Sequence, residues 1–254
     1  MSNSPLVDYV KLSPMHSGAR RHKIDTVTVH HMAGNLSVET CGEVFQSRQA
    51  STNYGVDSRG RVGLYVDEKD RAWSSASSDN DNRAVNIEVA NCAGAPDWPV
   101  TGAAYNKLVL LVADICRRNG IARLVWSENK ADRVEHRNGC NMTVHRDFMA
   151  TLCPGPYLME KMPQLARDVN RALDAGTEPE GPEPETGGQE TTPYTVRVEV
   201  EDLLIRSGPG TDYAQKGYIP QGVYTVVEEK NGFGRLKSGA GWIALKWVKK
   251  EGVR

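Results

Sequence analysis

The stretch TVTVHHM, residues 26–32, decides how the rest of the chain is read. Its residues alternate, so Thr26, Thr28 and His30 share one side of an extended strand while Val27, Val29 and His31 share the other. The side with two valines is the one expected to enter a core. His30 is thereby left on a face free for chemistry, and His31 becomes its packed neighbour. Immediately downstream, SVETCGEVFQSR (37–48) changes period, with Ser37 as helix N-cap and Val38, Cys41 and Phe45 on one helical face.

The same alternation of periods continues outward. NYGVDSRGRVGLYV (53–66) reads as a hairpin turning at residues 58–60, and RAVNIEVAN (83–91) as another strand. Thr101 caps a helix running to Asn119, whose stripe of Leu108, Leu111, Val112 and Ile115 has the helical repeat and which Gly120 ends. A short apolar strand precedes His145, and a last helix is expected near 156–173. Strands mixed with helices and joined by short loops predict an α/β domain: a central mixed sheet flanked by helices.

Composition breaks once, at DAGTEPEGPEPETGGQETTP (174–193), which has six acidic residues and no basic one. Like charges and prolines predict an extended linker, with a reach of about 25 Å for roughly 20 residues. Beyond it, TVRVEVE, LLIRSGPG, AQKGYIPQG, VYTVVEEKNGFGRL and GWIALKWVKK are short β runs divided by Gly, Pro and Asn, predicting a small all-β barrel. The expected organisation is therefore a domain at 1–173, a linker at 174–193 and a second domain at 194–254.

With 39% hydrophobic and 25% charged residues and a net charge of −1, the 254-residue chain has the make-up of a globular protein. Neither part is basic enough for nucleic acid, and the ARRHK cluster at 19–23 reads as a solvated surface. No membrane insertion is expected, and a monomer is. The start, MSNSPLVDYVKLSP, lacks a basic leader and an apolar run, so synthesis in the cytoplasm without a signal peptide is expected. Cys41, Cys92, Cys116, Cys140 and Cys153 are odd in number and widely spaced, which is no disulfide framework.

Chemistry gathers in HRDFMATLCPG, residues 145–155, which places His145 and Cys153 eight positions apart before a Pro-Gly turn. With His30 they form a three-ligand set for Zn2+. A closed structural site uses four protein ligands, whereas a catalytic one uses three and keeps the fourth position open. Asp147 either orients a ligating imidazole or caps a loop.

Together VHHMAG, STNYGV, AVNIEVAN and HRDFMATLCPG resemble the zinc amidase family shared by phage amidase endolysins and peptidoglycan recognition proteins, over roughly residues 20–172. The resemblance implies a zinc held by His30, His145 and Cys153. It also implies hydrolysis of the amide joining the lactyl group of N-acetylmuramic acid to L-alanine, leading to cell-wall lysis. The family pattern assigns Tyr54, in NYGV, a place beside the zinc, where its hydroxyl would hydrogen-bond the water or the developing oxyanion, against a buried structural tyrosine. Glu88, on the polar side of VNIEVAN, resembles the carboxylate that serves some members as general base, against a plain sheet-surface glutamate. Thr151 matches a position near the substrate carbonyl that is threonine or lysine in relatives, and Trp73 resembles an aromatic that lines the substrate groove, with core packing as the alternative.

Residues 194–250 resemble bacterial SH3-like cell-wall-binding domains through LLIRSGPGTDY and GWIALKWV. There Gly208, Pro209 and Gly210 make a turn, and Tyr213 either packs behind it or faces a ligand. The partner implied is bacterial peptidoglycan, glycan and stem peptide, met after the protein's release from the cytoplasm. Two other readings stand beside the amidase: a zinc endopeptidase cutting within the stem peptide, and a non-catalytic peptidoglycan sensor. Sensors of this kind typically lack a zinc ligand, and here all three candidates are present.

Overall fold

The protein is described by a computed structural model covering residues 3–174, 193–200, 203–210, 213, 215–230 and 232–251. Residues 175–192, nearly all of the expected linker, lie outside this range. Asp174, assigned to that linker from composition, is the final residue of a helix. The chain divides into two compact units, Met1–Gly181 and Pro182–Arg254.

In chain order the first unit runs β1 (Tyr9–Val10), β2 (His16–Ala19), β3 (Thr26–His31), α1 (Val38–Ser47), β4 (Tyr54–Val56), β5 (Val62–Leu64), β6 (Asp70–Ala72), α2 (Ser78–Arg83), β7 (Ala84–Val89), α3 (Gly102–Asn119), α4 (Lys130–Val134), β8 (Met142–Val144) and α5 (Pro156–Asp174). Six strands form one sheet in the order β1-β5-β4-β7-β3-β8, while β2 and β6 pair as a separate ribbon. Only the β4–β5 hairpin is antiparallel within the six, so the sheet is mixed, as expected.

Register turns strand alternation into two unlike faces. Val29 lies opposite Ile87 on β7 and Val144 on β8, and Ile87 opposite Tyr54 on β4. This apolar face packs with the α3 stripe of Leu108, Leu111, Val112 and Ile115 and with Leu158, Met162 and Leu165 of α5. One position along each strand, the facing residues are Thr28 with Asn86 and Thr143, and His30 with Glu88. That polar face holds the site.

Local signals set the helix ends. Ser37 accepts a hydrogen bond from the Thr40 amide at the start of α1, and Thr101 from the Ala104 amide at the start of α3. The Thr101 hydroxyl also donates to the Ser58 carbonyl at 2.6 Å, tying α3 to the hairpin turn. Gly120 closes α3 in the left-handed conformation, φ +69°. No helix among the described residues is long and apolar enough to cross a membrane.

The second unit runs β9 (Tyr194–Val198), β10 (Leu203–Arg206), β11 (Gln215–Ile219), β12 (Gly222–Lys230), β13 (Phe233–Leu236), β14 (Trp242–Ala244) and β15 (Val248–Lys250). They join in the order β11-β10-β14-β13-β12-β9-β15, with every pair antiparallel. Val196, Val198, Leu203, Ile219, Val226, Leu236 and Ile243 form its core. Tyr213 packs on the turn: a Cβ at Gly208 would overlap its ring, so the glycine is required there. Trp242 is buried, whereas Tyr218 and Trp247 are exposed.

Candidate active site

His30 closes the polar row of β3 and is fully buried. Its Nε2 lies 3.1 Å from Asn86 Oδ1, and its Nδ1 lies 3.7 Å from Cys153 Sγ. His145, at the first position after β8, brings its ring centroid to 5.0 Å from that of His30. One ligand atom each from His30, His145 and Cys153 lie within 4.8 Å of one another. Tetrahedral zinc with bonds of about 2.3 Å to sulfur and 2.0–2.1 Å to nitrogen separates S and N by about 3.5 Å, so the donor set fits zinc. His31 stands apart from the cluster, edge-on to Trp98 at 5.4 Å.

Burial, and secondarily the charge of His145, hold His30 down at about 3, so its ring stays neutral and able to ligate. Burial also pushes the Cys153 thiol above its ordinary value, and the Glu88 carboxylate adds to that. A bound dication reverses this preference, because a coordinating thiol deprotonates.

The loop that carries Cys153 is constrained at both ends. Gly155 has φ +84°, and a Cβ there would meet His31 Nδ1 and Trp98 Cβ, each at 3.1 Å, so only glycine fits. The Cys153 amide donates to Thr151 Oγ1 at 3.2 Å. Thr151 thus holds the ligand loop while also lining the cleft.

Asp147 resolves as a loop cap. It accepts the Val144 amide at 3.0 Å and the Arg133 guanidinium through both oxygens, Nε at 2.9 Å and Nη2 at 2.5 Å. Arg133, nearly buried, also donates to the Ser127 carbonyl and lies 4.4 Å over the Trp126 ring. Nothing in the local pattern around Arg133 singles it out, because its partner is 14 residues away. Arg133→Ala strands the buried carboxylate under His145 and is expected to cost about 3–5 kcal/mol, read from chemical denaturation.

A cleft of about 220 Å³ opens over His145 and Cys153. Glu88 lines it; the side chain is partly exposed, but its Oε2 is shielded from solvent and has no hydrogen-bond partner among the described residues. Burial pushes it up to about 8, opposed by the Arg48 charge. Trp73 lines the cleft as well, 39% exposed, with Nε1 donating to Ser17 Oγ at 2.6 Å and the ring left open. Leu36 and Phe45 form an apolar wall, and Arg48 contributes a cation. Arg48 carries no sequence signal, since it follows α1 as an ordinary surface arginine.

Tyr54 requires correction. Expected beside the metal, it is instead fully buried on the apolar face, where its hydroxyl donates to Glu68 Oε1 at 2.5 Å and accepts the Ser4 amide at 2.8 Å. The cause is alternation: Tyr54 shares its face with Val56 and pairs with Ile87, one residue out of step with Glu88. Tyr54→Phe is therefore expected to leave turnover unchanged and to lower stability by about 1–3 kcal/mol, since a buried charge-assisted hydrogen bond is lost. Thermal melting and dye release from labelled walls check the two halves.

A mixed sheet with His30 and His145 near the ends of neighbouring parallel strands, Cys153 brought to them on a loop, and a cleft open over His145 and Cys153 has the make-up of a zinc hydrolase. Residues 20–156 match the family described as N-acetylmuramoyl-L-alanine amidase, and the chain belongs to that family. It is thus an amidase of peptidoglycan, and the His30, His145 and Cys153 cluster corresponds to the family's zinc site. Among solved structures, it is similar to the PlyG catalytic domain, at 16% identity and TM-score 0.48 over 68% of this chain and 99% of that one. It is also similar to the endolysin amidase LysCS from Clostridium intestinale URNW, at 14% identity and TM-score 0.45 over 65% and 98%. A third is the Staphylococcus aureus hydrolase AmiA, at 16% and 0.46 over 68% and 85%. No curated protein matches the chain.

Proposed function

We propose that this chain is an endolysin-type enzyme that cuts the amide between N-acetylmuramic acid and L-alanine, with Glu88 as general base and Trp73 as a wall of the substrate groove. The observation that carries the reading is Glu88 Oε2, shielded from solvent and without a hydrogen-bond partner among the described residues, in the same cleft as His145 and Cys153. Zinc, when bound by His30, His145 and Cys153, supplies Lewis acidity that polarises the scissile carbonyl and makes water nucleophilic near neutral pH. Glu88 Oε2 takes the proton from the attacking water and returns it to the departing L-alanine amine. Burial raises this carboxyl group to about 8 in the metal-free protein, and a bound dication would lower it again, toward the range in which a carboxylate both takes and returns a proton at neutral pH. Thr151 keeps the Cys153 loop in place, and the open Trp73 ring gives a saccharide or peptide a flat apolar contact.

In this reading residues 1–173 are the catalyst, 174–193 a tether and 194–254 an SH3-like module that holds the wall. Exposed Tyr218 and Trp247 support that module's role, as amphipathic rings suited to glycan or peptide. A weak second contact keeps a tethered catalyst at up to millimolar effective concentration beside an insoluble substrate. The enzyme acts as a monomer on the wall after leaving the cytoplasm. Mass spectrometry of digested peptidoglycan tests the cut: new N-terminal L-alanine on intact stems is expected. New amino termini inside the stem would make the enzyme an endopeptidase, and wall binding with zinc but no released stems would make the protein a sensor.

A further inference from the structure

Beneath the metal cluster, the polar face of the sheet carries a second set of buried groups. Asn86 is fully buried, two residues before Glu88 on β7 and one step along the polar row from His30. Its Oδ1 sits 3.1 Å from His30 Nε2. Its Nδ2 donates to Asp81 Oδ1 at 3.3 Å and to the Ala84 carbonyl at 3.4 Å. Turning the amide over would set its oxygen against a carboxylate and a carbonyl, so electrostatics select one orientation. Asp81 is itself held on α2 by the Ser74 amide at 3.1 Å, the Ser75 amide at 3.1 Å and the Ser75 hydroxyl at 2.7 Å.

The consequence runs up the chain of contacts. With Asp81 fixed, the Asn86 amide presents oxygen to His30, and an oxygen there accepts only if His30 Nε2 carries the proton. Nδ1 then has its lone pair free, and Nδ1 is the ring nitrogen that faces Cys153 Sγ. We propose that Asn86 and Asp81 are positioning residues that lock His30 as the Nε2–H tautomer, presenting Nδ1 to the metal. The proposal rests on the zinc reading of the cluster. It also links the groove to the metal, because the loop that anchors Asp81 follows directly on Trp73.

The hydrogen bond opposite a ligating nitrogen sets which nitrogen is free to bind, and losing such a partner weakens metal affinity about 10- to 100-fold. Asn86→Leu is therefore expected to raise the zinc dissociation constant by about that factor in competition with a chromogenic chelator. In the zinc-free parent, two-bond nitrogen–proton correlation of the imidazoles, assigned with His30→Ala, should show the His30 proton on Nε2.

A folded Asn86→Leu protein that binds zinc as tightly as the parent overturns the proposal, and so does a His30 proton found on Nδ1. If Asn86→Leu does not fold, the parent's tautomer spectrum decides. A parent chain that takes up no zinc overturns the metal centre instead, a result separate from weakened binding confined to the variants.

Discussion

Cys153→Ala and His30→Ala are each expected to yield folded protein without bound zinc and with activity down by more than about 1,000-fold, while His31→Ala keeps its zinc. The size follows from the several kcal/mol that a Lewis acid contributes to a carbonyl transition state, each 1.36 kcal/mol being a tenfold change in rate. Two donors do not hold a three-ligand catalytic site, and among the described residues the cluster has no further His or Cys ligand atom. Folding should survive, because Cys153→Ala removes one sulfur and the sheet around His30 is paired on both sides, by β7 and β8. His31 differs because its ring packs against Trp98 and Gly155. Metal content by mass spectrometry, alongside dye release from labelled walls, makes the comparison. A metal-free His31→Ala protein beside a zinc-loaded His30→Ala protein would overturn the assignment of the strand faces.

Glu88→Gln should retain zinc and lose about 100- to 10,000-fold in kcat, the usual worth of a positioned general base. Shape and burial are kept by glutamine, so the loss isolates proton transfer. A second readout distinguishes this from damage to the fold. The Glu88 carboxyl group is raised to about 8 in the metal-free protein, above the roughly 4.3 of a free glutamate. A raised carboxyl pKa means the folded state holds its proton more tightly than the unfolded state does. Its contribution to stability is thus full below pH 4.3 and is lost as pH rises through 8. Zinc-free Glu88→Gln, lacking that titration, should gain melting temperature relative to the parent between pH 5 and 9. Equal melting curves across that range would place the Glu88 carboxyl group in water rather than in a shielded position.

Period alone made most of the first unit legible. Thr26–His31, Val38–Ser47, Gly102–Asn119 and Pro156–Asp174 fall where alternation, the helical stripe, Ser37, Thr101 and Gly120 put them. The polar side of TVTVHHM does carry the member of the histidine pair that joins the cluster. Tyr54 shows the cost of letting a family pattern replace that same reasoning. Applied to NYGV, alternation puts Tyr54 beside Val56 in the core, which is where it lies. Glu88 was visible as a polar residue between Ile87 and Val89, yet the shielding of its Oε2 was not, because that depends on what covers the strand.

By itself the sequence determined the longer elements, the mixed α/β class, the break in composition and the three zinc donors, because each is written in local period, caps or donor chemistry, whereas the short elements β1, β2, β6, α2 and α4 carry no such signal. Only the tertiary structure decided that Asp147 serves Arg133 rather than a histidine, that Arg48 borders the cleft, and that Asn86 and Asp81 stand behind His30. The physical reason is register. Asn86 reaches His30 across 56 residues and Arg133 reaches Asp147 across 14, through strand pairing and loop packing that no short window of sequence contains.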